Sequence, residues 1–218
     1  MTYQTSPAGR LEWFDWLRTS LPWGRLAARF WRMMLHPREE WALLAYEPPR
    51  VGKGMVPYAI ILSLFGPAMQ FGAGLFEVMF GPQTFSLAGF SFGLLMVWVG
   101  AFLNLLVLYA VVQIIQGVAL KHGEAVPRLR AYQVGLYGLS AFWVAQGISQ
   151  LPLMGGAAII IGLYSLYQLY TGTERLVEVD PADRLKVNLM VPGLALAFYM
   201  AIVGVAGLVV WLAQRGGA

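Results

Sequence analysis

The chain contains no cysteine and only two histidines. Without thiols there are no disulfides, no thiolate nucleophile, no iron–sulfur cluster and no cysteine–zinc site, and the compartment stays open. His36 precedes Glu39 and Glu40, but this is not the spacing by which two histidines bind a metal from one helix face. His122 lies in another segment. There is no phosphate-cradling glycine loop ahead of a helix and no Ser–His–acid set. The residues therefore point to a protein with no metal, no cofactor and no catalytic centre.

Charge is the second scarcity. Asp, Glu, Lys and Arg make up 12% of the 218 residues, and 58% are hydrophobic. A soluble domain is about a quarter charged. Between Met55 and Leu120 the one ionisable carboxylate is Glu77, with no Lys or Arg. Ala131 to Thr173 is free of charge, and so is Leu189 to Ala213. About 20 apolar residues in a helix cross the ~30 Å hydrocarbon core. Unpaired backbone amides are too costly in lipid for any open form. The apolar stretches predict five spanning helices, over 55–76, 89–118, 132–149, 152–170 and 189–211. The second is longer than a bilayer requires, so tilt, a kink or extension into the interface is expected. The third and fourth are separated by Gln150, Leu151 and Pro152, which predicts a tight hairpin.

The basic residues set the orientation. Fourteen of the fifteen lie in three segments: eight before Met55, then Lys121, Arg128 and Arg130, then Arg175, Arg184 and Lys186. Arg215 stands beyond the last span. Basic residues in short flanking loops stay cytoplasmic. Five crossings put all three segments on one face, with the N-terminus inside and the C-terminus outside. No signal peptide is read at the start, and the first span would serve as the insertion signal. The formal charge of +4 fits loops facing anionic lipid. Its spread over membrane-flanking segments argues against nucleic acid.

Three regions follow: a cytoplasmic aromatic and basic arm over 1–54, a five-helix membrane domain over 55–212, and a short tail over 213–218. In the arm, Pro22 suits the first turn of a helix ending near Leu35. Arg25, Arg29 and Arg32 share one face, with Leu26, Phe30, Met33 and Met34 on another. With Trp23 and Trp31, this reads as an amphipathic helix on the membrane surface. Packing on the cytoplasmic end of the bundle is the equal alternative. Pro37 opens a second helix with Glu39 and Glu40 in its first turn, where acids complement the dipole. Pro48 and Pro49 end it.

Inside the spans, Asn104 is the deepest polar side chain. Gln113, Gln116, Gln133, Gln146 and Gln168 lie toward span ends. Such amides tie helices together. The alternative is that Asn104, Gln113, Gln146 and Glu77 line a polar groove. Glu77 itself is expected at the outer interface. Gly89 and Gly93, and Gly193, Ala197 and Ala201, recur every fourth residue, and packing within the chain is the favoured reading over dimerisation. Tyr164, Tyr167 and Tyr170 look like an aromatic belt.

The run Gly162-Leu163-Tyr164-Ser165-Leu166-Tyr167-Gln168-Leu169-Tyr170-Thr171-Gly172, with the following Glu174-Arg175 and Asp180-Pro181-Ala182-Asp183-Arg184, resembles the Yip1 family in its bacterial branch of small inner-membrane proteins. His36-Pro37-Arg38-Glu39-Glu40-Trp41 with Glu47-Pro48 is a second point of likeness, and Tyr137-Gly138-Leu139-Ser140 a third. The resemblance covers about residues 33–212. The Asp-Leu-Tyr-Gly-Pro element of eukaryotic members is absent, although Phe80-Gly81-Pro82 occupies the corresponding region. The resemblance implies an all-α five-span fold, with Pro37, Trp41, Glu47, Tyr137, Gly138, Tyr164, Ser165 and Tyr167 as motif residues. It also implies a non-catalytic membrane-organising or trafficking adaptor. The expected partners are membrane lipids, and a protein at the cytoplasmic arm or a second copy. The alternative function is a small lipid or solute translocator.

Overall fold

The computed structural model describes residues 24–47, 55–81 and 84–216. The described residues are helical, with no strand among them. Trp23, Pro22 and the segment before them lie outside the described residues. The chain divides into two units, Met1–Pro48 and Pro49–Ala218.

The first unit holds α1 (Gly24–Leu35) and α2 (Pro37–Tyr46), packed on each other. Pro37 sits in the first turn of α2, where its missing N–H has no partner to lose. Glu47 caps the C-terminus through its N–H to Leu43 O.

The second unit holds α3 (Val56–Phe80), α4 (Leu87–Lys121), α5 (Arg128–Gly138), α6 (Ser140–Ile148), α7 (Gly155–Leu176) and α8 (Arg184–Gly216). Three helices are long and apolar enough to cross a membrane: α3, α4 and the Arg184–Ile202 part of α8. Large apolar side chains cover their outer faces. Phe92, Trp98 and Phe102 of α4 are each more than 60% exposed, which suits hydrocarbon and not water. At 35 residues, α4 is about 52 Å long, well over the core thickness. Ser86 begins it by accepting from Gly89 N at 3.0 Å, the usual cap chemistry.

The packing alternates in direction. Phe71 lies against Gly93, Pro67 against Gly100 and Ser63 against Asn104, so α3 and α4 are antiparallel. A Cβ on Gly100 would stand 2.7 Å from Pro67 Cγ, so glycine is what admits the proline ring. Gln146 of α6 meets Gly66, and Ser140 meets Tyr58, so α6 runs parallel to α3. Leu169 meets Gly138 and Ala145 meets Gly162, so α7 runs against α5 and α6.

Three expectations about the spans change. The third apolar stretch is not one helix; it breaks at Leu139 between α5 and α6. Ser140 Oγ donates to Leu136 O at 3.3 Å, and such back-bonding bends helices. The connection to α7 is also longer than three residues. Ile148 ends α6 and Gly155 begins α7. Leu153, wholly exposed, sits at φ 65 in that link, a conformation unusual for a side-chain-bearing residue. Third, Gly193, Ala197 and Ala201 do not pack inside the chain. All three are exposed, and nothing lies within 4 Å of a Cβ placed on Gly193. Gly93, by contrast, does receive Phe71.

Candidate functional site

The deepest polar cluster follows from one proline. Pro67 has no N–H, so the Ser63 carbonyl four residues earlier loses its helical partner. An orphan carbonyl at bilayer depth is costly. Asn104 of α4 supplies the missing donor, with Nδ2 at 2.8 Å from Ser63 O. A carbonyl only accepts, so the atom facing it is nitrogen. The same nitrogen lies 3.0 Å from Gln146 Oε1. Both Asn104 N–H groups are thereby used, and α3, α4 and α6 are joined at one level. Gly66 allows the approach: a Cβ there would stand 2.7 Å from Gln146 Cβ.

One and a half turns toward the start of α3, Tyr58 Oη lies 2.8 Å from Ser140 Oγ. The Tyr58 ring meets Tyr137 edge-on, with centroids 4.9 Å apart. This places the motif residues Tyr137 and Gly138 at the break between α5 and α6, with Gly138 closed against Leu169.

The expected groove is not assembled by its four residues. Asn104 and Gln146 are together. Gln113 is exposed on α4, nine residues from Asn104, or about 14 Å along the axis. Glu77 is exposed near the end of α3, fourteen residues from Ser63, or about 21 Å.

On α7 the polar residues Ser165, Gln168, Thr171 and Thr173 are all buried. Thr171 Oγ1 donates to the Tyr167 and Gln168 carbonyls, and Thr173 Oγ1 to Leu169 O at 2.8 Å. Tyr164 and Tyr167 pack ring on ring at 5.6 Å. A cavity of about 410 Å³ lies between α4, α6, α7 and α8, with Ser165 in its wall.

Two loops meet at one end of the unit. His122 Nδ1, after α4, is 3.1 Å from Asp183 Oδ2, before α8. Lys186 Nζ is 2.8 Å from Asp183 Oδ1. The Lys186 ammonium, and then the His122 ring, hold the Asp183 carboxyl below its ordinary value.

In the first unit, the arginines predicted to face lipid are largely committed to glutamates. Glu40, 2% exposed, takes Arg29 Nε at 3.2 Å and Arg32 Nε at 2.9 Å. Arg29 Nη2 also reaches Glu47 at 2.7 Å. Over residues 24–47, four arginines stand against three glutamates, a net +1. Trp31 is 45% exposed and Trp41 is buried. Nothing is described of the Arg25 side chain, and Trp23 lies outside the described residues.

Sequence reading found Asn104 but not the reason for it. The signal was present: Pro67 inside an apolar span orphans Ser63, and Asn104 lies near the middle of the next apolar span. Ser165 enters the sequence reading only through the resemblance, without its buried hydroxyl, and Tyr199 in the cavity wall does not enter it. No group of three or more metal-ligating side chains occurs among the described residues. No family model, curated protein or solved structure matches this chain.

Proposed function

We propose that the chain is a five-span inner-membrane protein that acts as a non-catalytic membrane-organising adaptor of the Yip1 kind. The observation that carries this reading is the closure of the deep polar cluster. Transport sites at bilayer depth keep polar groups open to a path. Here Asn104 spends both donors on Ser63 and Gln146, while Glu77 and Gln113 stand apart from it. That arrangement is a structural tie.

Five crossings are supported by the up-and-down alternation of α3, α4, α5–α6, α7 and α8. Ser165, Gln168, Thr171 and Thr173 of α7 turn toward protein, and Ile159, Ile160 and Leu163 form an exposed apolar face. A cytoplasmic N-terminus and an outer C-terminus are supported by the basic loops and by the His122–Asp183 contact, which joins two of them. Lipids are the surrounding partners. A second protein would meet the arm or an outer helix face.

Reconstitution tests the adaptor reading against the translocator. Vesicles carrying the protein should flip fluorescent lipid and leak small solutes no faster than protein-free vesicles. Protein-dependent flux that is lost in Asn104→Leu would replace the adaptor with the translocator.

A further inference from the structure

The cavity between α4, α6, α7 and α8 has a composition that neither an adaptor nor a packing defect requires. Its volume is about 410 Å³, within the range of small-molecule sites. Along α7 its lining runs from Gly155 to Leu169, about 21 Å. Leu163 and Met200 at its edge are more than half exposed, so it opens sideways between α7 and α8. The described lining carries no charged residue.

Four uncharged polar side chains interrupt the apolar wall: Gln146, Ser149, Ser165 and Tyr199. Ser149 Oγ is spent on Gln146 O at 2.7 Å, which leaves three donors for a ligand. Ser165 is 3% exposed, and its Oγ has no hydrogen-bond partner. A buried hydroxyl without a partner is costly, so a ligand acceptor is the natural complement. The Gln146 oxygen is taken by Asn104, which leaves its NH₂ as the group it offers. The Tyr199 ring meets Phe142 edge-on at 4.7 Å, and Phe142 is one turn from Gln146. Gly162 faces Ala145, and α6 and α7 are antiparallel, so Ser165 lies at the level of Phe142. The three donors therefore gather within about one turn, ~5.4 Å of rise. That level is mid-helix, with Ser165 about 15 Å from either end of α7.

We infer that this cavity binds the head of a lipid-soluble quinone. The ring carbonyls accept from Ser165, Tyr199 and Gln146, and the isoprenoid tail leaves between α7 and α8 into hydrocarbon. The depth selects the ligand. Ester carbonyls of bilayer lipids belong at the edges of the ~30 Å core, not at its middle. A bare acyl chain fills the apolar wall but meets none of the donors. A charged ligand finds no counter-charge. The inference rests on the crossing of α7 proposed above and goes beyond the adaptor reading; an inert vesicle assay leaves it standing, and the cysteine labelling of Gln150→Cys tests the crossing separately.

Calorimetric titration of the full chain in detergent, stripped of native lipid, tests it. The probes are decylubiquinone and decylbenzene, which share a tail and differ in the carbonyls. Decylubiquinone should saturate at one per chain and bind at least about tenfold tighter than decylbenzene, as more than one hydrogen bond implies. Ser165→Ala and Tyr199→Phe should each weaken decylubiquinone about three- to tenfold and leave decylbenzene unchanged. Equal affinity for the two probes would show a hydrocarbon slot and overturn the inference. So would absence of saturable decylubiquinone binding, or binding indifferent to Ser165→Ala and Tyr199→Phe in variants with unchanged melting.

Discussion

Removing Asn104 should destabilise the bundle by an amount that depends on Pro67. Asn104→Leu deletes two hydrogen bonds and leaves Ser63 O and Gln146 Oε1 without their donor. A buried acceptor left unmet costs ~1–3 kcal/mol. Interhelical hydrogen bonds in membrane proteins average a smaller ~0.6 kcal/mol, with a maximum near 1.7. A loss of about 2 kcal/mol for the pair is expected. Pro67→Ala restores an N–H four residues after Ser63, so the helix again satisfies its own carbonyl. It also removes a ring that fills the space beside Gly100. By itself it should be near neutral or mildly destabilising. In the double variant, however, Asn104→Leu orphans only Gln146. The Asn104 deletion should then cost about 1 kcal/mol less in the Pro67→Ala background than in the wild type. Unfolding in mixed micelles, analysed as a double-mutant cycle, reads this coupling. Additive effects, with coupling below about 0.3 kcal/mol, would refute the claim that Asn104 stands in for the missing proline N–H.

Three further outcomes follow from other contacts. Gly66→Val should destabilise by about 1–3 kcal/mol, since the added carbons meet Gln146 directly; a melt within error of the wild type contradicts that packing. Glu40→Gln removes the charge shared by Arg29 and Arg32. Because both arginines are partly exposed, at 23% and 30%, the cost should be about 2 kcal/mol, below the 3–5 of a fully buried pair. Faster proteolysis within α1–α2 would register it, and an unchanged rate would not fit. Asp183 has a lowered value, so the His122–Asp183–Lys186 tie is in place above 3.8 and is lost as pH falls through the lowered value. The carboxyl carbon shift of Asp183 should therefore titrate below 3.8, and in His122→Ala and Lys186→Ala should move back toward it. A midpoint at or above 3.8 in the wild type contradicts the contact.

The helical class and the membrane setting were legible because both rest on composition over long stretches. Helices that meet the length and apolarity needed to cross lie over residues 55–76, over 89–118, and over the 189–202 part of the last stretch. What escaped were features set by pairs of residues far apart in the chain. Leu139 carries no breaker signal of its own; the break comes with Ser140, whose hydroxyl turns back to Leu136 and reaches Tyr58, 82 residues away. Arg29 and Arg32 share a helical face, as periodicity suggested, but their charge is spent on Glu40, which was read only as a dipole partner within its own helix. Likewise Asn104 reads as polar and deep, and Gln146 as polar and toward a span end. That they meet each other, and not Glu77 or Gln113, depends on the register of α3 against α4 and α6, which no local pattern encodes. Ser165 was noticed as part of a motif, yet its chemistry lies in the absence of a partner.

The crossing of α5–α6 and α7 is the step on which the five-span account turns, because these helices are the broken and polar ones. The native chain has no cysteine, so single cysteines report cleanly. Gly123→Cys, Ala182→Cys and Gln150→Cys, placed in the loops after α4, after α7 and after α6, are each exposed to a membrane-impermeant maleimide in intact cells and again after permeabilisation. With five crossings, Gln150→Cys labels in intact cells, while Gly123→Cys and Ala182→Cys label only once the membrane is opened. Labelling of Gln150→Cys on the same side as Gly123→Cys would show that α5–α6 and α7 enter and leave by one face, and would contradict five crossings.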